Sequence, residues 1–502
     1  MRVRLLFDDL DFDPNQAEPW SGEDLIEDLG LEAILELMAD GDPSCYRSCR
    51  SALLHPLAEI DQIRYRQEIL RDCLDLEEPI QRLYQIAESA VIARKKAYAF
   101  GVYSKSPTSM LRGAVGVLGR LSEYLEELSE LAARVTDSCR SPGLTRFFAG
   151  IRRDLTPDTL RRIRGHVASL KFDRGLEVAA SVGDSGKGTS FTLQPPPAGG
   201  RLSNLGAWVH RDTKWYSFEL QPRDEAGFQY LANLADQGTE LAARAALGSA
   251  DSLVSFFNSL LSELGFYIGA MRLHHWLESR GLDHCVPSQR RADPFSMEFE
   301  GLYDIGLVLA GVDRPVANDL QEQKISMLLI TGANSGGKST FLRSVGVAQL
   351  LMQAGIEVPA RRFSSSVVTE VLTHFRRDED PTLTSGRLYS ELERMALLVN
   401  RVSRGAMVLS TETFHSTGES DGSRLASEVF LGLMEIGAVP LIVTHLYGFA
   451  REIATKEIEG AVLLRAERLE DTTRTFRIVP GLPQATSHGW DLLARSLSVG
   501  QR

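Results

Sequence analysis

The chain is poor in cysteine. Its five thiols, Cys45, Cys49, Cys73, Cys139 and Cys285, are too few and too scattered in 502 residues for a disulfide framework, and their odd number suits a reducing compartment. Cys45 and Cys49 form a lone C-x3-C with no second pair, so ordinary thiols are expected there rather than zinc. Long apolar runs are missing too. None approaches the roughly 20 residues that cross a bilayer, and the start, MRVRLLFDDLDFDP, turns acidic after a short apolar run, Leu5 to Phe7. Neither a cleavable signal nor a membrane partner is therefore expected, and the expected location is cytoplasmic. Positive charge is in deficit as well: 55 Lys and Arg against 67 Asp and Glu give −12. That balance argues against coating nucleic acid by bulk electrostatics. A local basic groove stays open in LRRIRGHVASLKFDR, residues 160–174, where Arg161, Arg162, Arg164, Lys171 and Arg174 crowd a predicted helix; a solvated helix face explains them equally well.

What is present reads as globular, with 43% hydrophobic and 24% charged residues, and the length suits about two to four domains. From 22 to about 170 the apolar residues recur at helical spacing, as in EDLIEDLGLEAILELMADG and LGRLSEYLEELSELAARV. LEVAASVG and TSFTLQ then predict a hairpin, PPPAGG a loop, and AWVHR-DTK-WYSFEL a second hairpin. Helices resume over about 224–280, with Asp251 as a candidate cap and Gly281 as a stop. His274 and His275 lie there on an apolar helix with no carboxylate or cysteine set beside them, so they read as packing residues. The polar stretch VPSQRRADP, 286–294, is the expected boundary between a region 1–290 and a region 291–502. Beyond it strands and helices alternate: KISMLLIT, a helix over 338–354, SSVVTEVLTHF as a strand, a helix from about 387 to 401, AMVLST, a helix over 422–436, and VPLIVTH. The expected fold is multi-domain: a mostly α-helical N-terminal core with a small β insertion near 176–220, then a C-terminal α/β P-loop domain.

Within that domain LLITGANSGGKST holds G-x-x-x-x-G-K-S from Gly332 to Ser339, after a strand and before a helix. Glycines let the backbone curl so that N–H groups face phosphate oxygens, and the next helix adds the positive end of its dipole. Gly332, Asn334, Gly336, Gly337, Lys338, Ser339 and Thr340 are the expected ATP-binding set, with Lys338 reaching the β and γ phosphates and Ser339 holding Mg2+. Such a loop needs a carboxylate at the end of a nearby strand. MVLSTETFHSTGESDG, 407–422, supplies Glu412 to polarise a water, yet Thr411 stands where a first carboxylate is expected. Thr444 and His445, ending a further strand, are candidates to sense the γ-phosphate.

These residues together resemble the MutS family of DNA mismatch-repair ATPases. GANSGGKST follows its G-P-N-x-G-G-K-S-T with Ala333 for Pro; MQAGIEVPA, TSGRLYSELERM, TETFHSTGESDG, VTHLYGFA and VPGLPQATSHG follow its later segments, and LLHPLAEIDQIRYRQEILRDCL, 53–74, resembles its helical core. The resemblance implies a homodimer in which the signature residues Ser385, Gly386, Arg387 and Glu393 reach the partner's ATP, and two helical arms that hold duplex or branched DNA. Leu388 replaces a signature Ser, with Ser385 and Ser390 nearby. Thr411 replaces the Mg2+-organising Asp, so slow ATP hydrolysis is expected, its hydroxyl left to orient a metal-bound water. The family reads mismatches with a Phe-x-Glu wedge; none of the 21 phenylalanines has Glu two residues later, and the chain starts directly in the helical core, so mismatch reading is not expected. The alternative is a nucleotide-gated scaffold with negligible hydrolysis whose partner is a protein or the ribosome.

Overall fold

A computed structural model describes residues 2–99, 106–172, 177–182, 188–194, 220–221, 223–333, 336–377, 387–468 and 474–483. The second predicted hairpin lies outside them, apart from its last residue. In chain order the helices before the first strand are α1 (Gly22–Leu29), α2 (Leu31–Ala39), α3 (Pro43–Leu54), α4 (Ile60–Asp75), α5 (Glu77–Ala99), α6 (Pro107–Val135), α7 (Pro142–Asp154) and α8 (Pro157–Ser169). The antiparallel hairpin β1 (Glu177–Val182) and β2 (Gly188–Gln194) follows, as expected, and then α9 (Glu225–Ser279). Next come β3 (Ser288–Arg290), β4 (Met297–Leu302), α10 (Ile305–Leu309), β5 (Asn318–Glu322), β6 (Met327–Thr331) and α11 (Lys338–Ala354). The chain continues through β7 (Arg362–Ser366), β8 (Val371–Phe375), α12 (Arg387–Arg401), β9 (Met407–Thr411) and α13 (Glu419–Glu435). It closes with β10 (Val439–Val443), α14 (Tyr447–Thr455), β11 (Ala461–Arg468) and β12 (Arg474–Pro480).

Two compact units divide the chain in space, where the sequence divides it in order at 290/291. One comprises the first three residues, Leu76–Arg140 and Leu144–Leu261; the other comprises Arg4–Asp75, Ser141–Gly143 and Ser262–Arg502. Among its described residues the first is helical apart from the β1–β2 hairpin. Its α6 buries Leu118, Leu121, Leu125, Leu128 and Ala132, a three-and-four spacing that places one apolar stripe inward. The 23–41 segment forms two helices rather than one, because Gly30 takes a left-handed φ of 64° and ends α1. Conversely, α9 is a single helix of 55 residues. Asp251 lies within it and pairs with Arg94 at 2.9 Å instead of capping a start, which corrects that expectation. One window of α9 is long and apolar enough to cross a membrane, against the expectation of none, but 72% of it is buried within the protein.

The second unit is built on a six-stranded sheet ordered β12-β11-β6-β10-β9-β8, parallel except for β12. From β6 the chain jumps to the far edge at β8 and then steps back through β9 and β10 to β11. Right-handed crossovers therefore put α11 on one face and α12, α13 and α14 on the other. Packing agrees: Met395, Leu398, Phe430 and Phe449 join Val408 in one cluster, whereas Leu409 points at α11, where a Cβ on Gly346 would come within 2.5 Å of it. The stretch 365–375 is two strands, not one. β7 belongs to a second sheet ordered β3-β7-β4-β5, and β8 to the large sheet. No Gly or Pro marks the break; the Gln353 side chain accepts from Val368 N at 3.1 Å and donates to its carbonyl at 2.9 Å, satisfying the backbone where it leaves one sheet for the other.

Candidate functional site

The parallel strands end along one edge. Thr411 sits in register with Phe375 on one side and Val443 on the other, and Val443 with Ile330. In open α/β sheets that carboxyl edge, at the point where the strand order reverses, is where ligands bind, and here the reversal falls at β6. The turn from β6 into α11 is made by glycine for steric reasons. Gly332 and Gly337 have φ of 117° and 86°, and a Cβ at Gly336 would come within 2.8 Å of the Ala466 side chain and 3.0 Å of the Ala333 carbonyl. Lys338 opens α11 and is buried. Its Nζ donates to the carbonyls of Gly332 at 2.9 Å and Ala333 at 2.8 Å. Desolvation pushes its pKa down to about 8, against the pull of Glu412. Ser339 is exposed in the first turn of α11, with Thr340 half-buried after it.

Glu412 follows β9 with a left-handed φ of 53°, its N–H donating to the Val443 carbonyl at 2.8 Å. Its carboxylate lies 3.3 Å from His445 Nε2 and accepts from Arg376 Nη1 at 2.9 Å. Those two partners, His445 first, hold its pKa down at about 2 despite partial burial. His445 Nε2 is also 3.4 Å from Lys338 Nζ. One nitrogen cannot donate to the carboxylate and accept from the ammonium at once, so the imidazole tautomer selects between them. Thr411 is buried and its Oγ1 accepts from Arg376 N at 3.3 Å. Thr444 is buried too; its hydroxyl accepts from Leu446 N at 3.0 Å and so caps the turn into α14.

Lys338, Glu412 and His445 are thus brought together from three elements. Asn334, Ser385 and Gly386 lie outside the described residues, as does the side chain of Arg387, which begins α12. Glu393 is exposed on α12 and hydrogen-bonded by Tyr389. In the other unit, Arg161 pairs with Asp158 at 3.0 Å, Arg162 with Asp158 at 3.7 Å, and Arg164 with Glu126, all three arginines well exposed; Lys171 is exposed. Two participants were not foreseen. Arg376, directly after β8, is one; the register of β8 beside β9 puts it next to Glu412. Glu391 on α12 is the other, its carboxylate accepting from Phe414 N just past Glu412. The helical spacing of α12 carries no hint of that contact.

A family model described as the MutS2 N-terminal domain matches residues 58–280, and one described as MutS domain V matches residues 328–494. The DNA mismatch repair protein MutS of Thermotoga neapolitana is 31% identical over 180 residues, covering 35% of this chain and 22% of that protein. MutS of Thermus aquaticus is 28% identical over 179 residues, 36% of this chain and 22% of its own length. MutS protein homolog 4 of Mus musculus is 24% identical over 185 residues, 35% of this chain and 19% of its own. The chain spans about a fifth of the length of these curated relatives.

Proposed function

The chain belongs to the MutS family, and from that premise we propose a cytoplasmic, homodimeric ATP-binding protein with slow Mg2+-dependent ATPase activity, whose nucleotide-driven closure controls its hold on DNA without reading mismatches. The observation that carries it is the convergence of Lys338, His445 and Glu412 within 3.4 Å links at the carboxyl edge of the sheet. The residues fit a triphosphate. Glycines stand where a Cβ would close the turn, a helix N-terminus follows it, and a buried ammonium lies in the first turn. Gly332, Asn334, Gly336, Gly337, Lys338 and Thr340 would hold the phosphates. Ser339, with Glu412 and Thr411 through water, would hold Mg2+, which when bound neutralises charge on the phosphate oxygens. Glu412, ionised far below neutral pH, orients the attacking water, and His445 lies between it and Lys338. Ser385, Gly386, Arg387 and Glu393 act on the partner's nucleotide; the exposure of Glu393 supports a role outside its own protomer.

Arg161, Arg162, Arg164 and Lys171 are the proposed DNA contacts. Asp158, the partner of Arg161 and Arg162, is exposed, and pairs of that kind contribute little; Arg164 is exposed, with its partner Glu126 partly buried, so phosphates can replace these carboxylates. A salt titration of duplex and branched DNA binding, with and without ATP, tests this. Four phosphate contacts give a log-log slope of roughly −3.6, and alanine at all four positions should remove it. Binding that is absent at every salt concentration would favour the second reading, a nucleotide-gated scaffold for a protein or the ribosome. The net charge of −12 and the pairing of Arg161, Arg162 and Arg164 support that alternative.

A further inference from the structure

The last turns of α9 carry two side chains that nucleotide chemistry does not use, and they correct the expectation that His274 has no carboxylate beside it. His274 and Glu278 are one turn apart on one helix face, with His274 Nε2 3.5 Å from Glu278 Oε2. After the helix, Cys285 and Val358 form an isolated antiparallel bridge, which brings the loop carrying His284 to the segment carrying Glu357, and His284 Nε2 lies 3.7 Å from Glu357 Oε2. The ligating atoms of His274, Glu278 and His284 all lie within 4.8 Å of one another. Both histidines have their other nitrogen engaged. His274 Nδ1 meets Glu357 Oε2 at 2.7 Å, and His284 Nδ1 meets the Leu282 carbonyl at 3.0 Å. A carbonyl and a carboxylate accept only, so each Nδ1 is the donor, and in the neutral ring each Nε2 presents a lone pair. Those lone pairs face carboxylate oxygens, at 3.5 Å for His274 and Glu278 and at 3.7 Å for His284 and Glu357. Acceptors facing acceptors call for a positive charge between them, a proton or a metal ion.

We propose that His274, Glu278 and His284 bind a Zn2+-class divalent transition-metal ion, with Glu357 and the Leu282 carbonyl orienting the two imidazoles. Second-partner bonds of this kind fix the tautomer and raise ligand basicity at metal-bound histidines. Tetrahedral zinc with bonds near 2.0–2.1 Å needs donors about 3.3 Å apart. The His274–Glu278 distance is close to that, and Glu278, whose side chain is 57% exposed, can turn toward both imidazoles. Two imidazoles with a carboxylate suit zinc rather than Mg2+ or Ca2+, which take oxygen ligands. The ion would fasten the C-terminal end of α9 to the loop that follows it, and through Glu357 to the segment leaving α11, the helix that begins with Lys338.

The test titrates the full chain, stripped with chelator and nucleotide-free, with ZnCl2 against a chromophoric chelator, and follows thermal unfolding alongside. One equivalent per chain should bind, with the unfolding midpoint raised by zinc. His274→Gln and His284→Asn should abolish both effects, and Glu278→Gln should weaken binding about tenfold or more. Lys338→Ala should bind zinc like the wild type. The Glu278 change is at an exposed position and keeps the test readable if a histidine variant misfolds. No stoichiometric uptake by the wild type would overturn the proposal. So would uptake unchanged in Glu278→Gln and His284→Asn, which would assign the zinc to thiols, the two histidines then being protonated partners of Glu278 and Glu357.

Discussion

Replacing Lys338 with methionine should push stability and nucleotide affinity in opposite directions. Lys338 is 4% exposed, and burial lowers its pKa from 10.5 to about 8. A difference of that size corresponds to about 3 kcal/mol. The folded chain binds the proton less tightly than the unfolded one, so stability rises as pH climbs from about 8 to 10.5. At pH 7 both states are protonated and the whole cost is present. Methionine has similar length and no charge, so it removes that cost but forfeits two hydrogen bonds to the Gly332 and Ala333 carbonyls, at about 0.5–1.5 kcal/mol each. The nucleotide-free variant should therefore gain about 1 kcal/mol, a rise of a few degrees at most in the midpoint of the unit that contains it. Its affinity for ATP should fall by about 1.5–3 kcal/mol, roughly tenfold to a hundredfold, because a charge-assisted contact is lost. Thermal unfolding at pH 7 and titration with a fluorescent ATP analogue read the two effects separately. A lowered midpoint would make the lysine a structural residue, and unchanged ATP affinity would discard the phosphate-binding loop.

Thr411→Asp should sharpen the Mg2+ dependence and speed hydrolysis about tenfold; coincident Mg2+ titrations of variant and wild type would show that the missing carboxylate limits nothing. Glu412→Ala should accumulate an ATP-bound dimer by sedimentation, and a strict monomer at micromolar protein with saturating ATP and Mg2+ would sink the sandwich arrangement. DNA with a single mismatch should bind no better than matched duplex. A tenfold preference, about 1.4 kcal/mol, would mean that some element reads bases.

Local signals carried the elements of the sheet well. α11 runs over 338–354 and α12 over 387–401 as their spacing predicts, and β9 and β10 sit where short apolar runs place them. Side-chain capture and long-range pairing were hidden. The break between β7 and β8 depends on Gln353, and a continuous β-branched run disguises it. Asp251 looks like a cap, yet Arg94 holds it within a helix of 55 residues. Lys338 was legible from its glycine-rich motif, and Glu412 and His445 because each comes just after an apolar strand, whereas Arg376 needed the sheet register. His274 and Glu357 are 83 positions apart, and long-range contacts such as the bridge between Cys285 and Val358 bring their neighbourhood together.

In the proposed ATPase, two features of the site could slow turnover, and their magnitudes separate them. Among the described residues Glu412 is the carboxylate beside Lys338, and Arg376 and His445 already engage it. A metal or water must therefore compete with Arg376 for its oxygens. The Arg376 side chain is 53% exposed and that of Glu412 24%, and His445 is the larger cause of the low carboxylate pKa, so freeing Glu412 from Arg376 alone costs about 1 kcal/mol, the upper end for such pairs. The hydroxyl at 411 is the other feature. It sits between Phe375 and Val443 in register, buried, where an acidic side chain would offer the metal's water a charge-assisted bond; a neutral hydroxyl offers one about half as strong. The deficit is about 1.5 kcal/mol, half of a charge-assisted bond of about 3 kcal/mol. Thr411 therefore sets the rate in this reading, and Arg376 adjusts it.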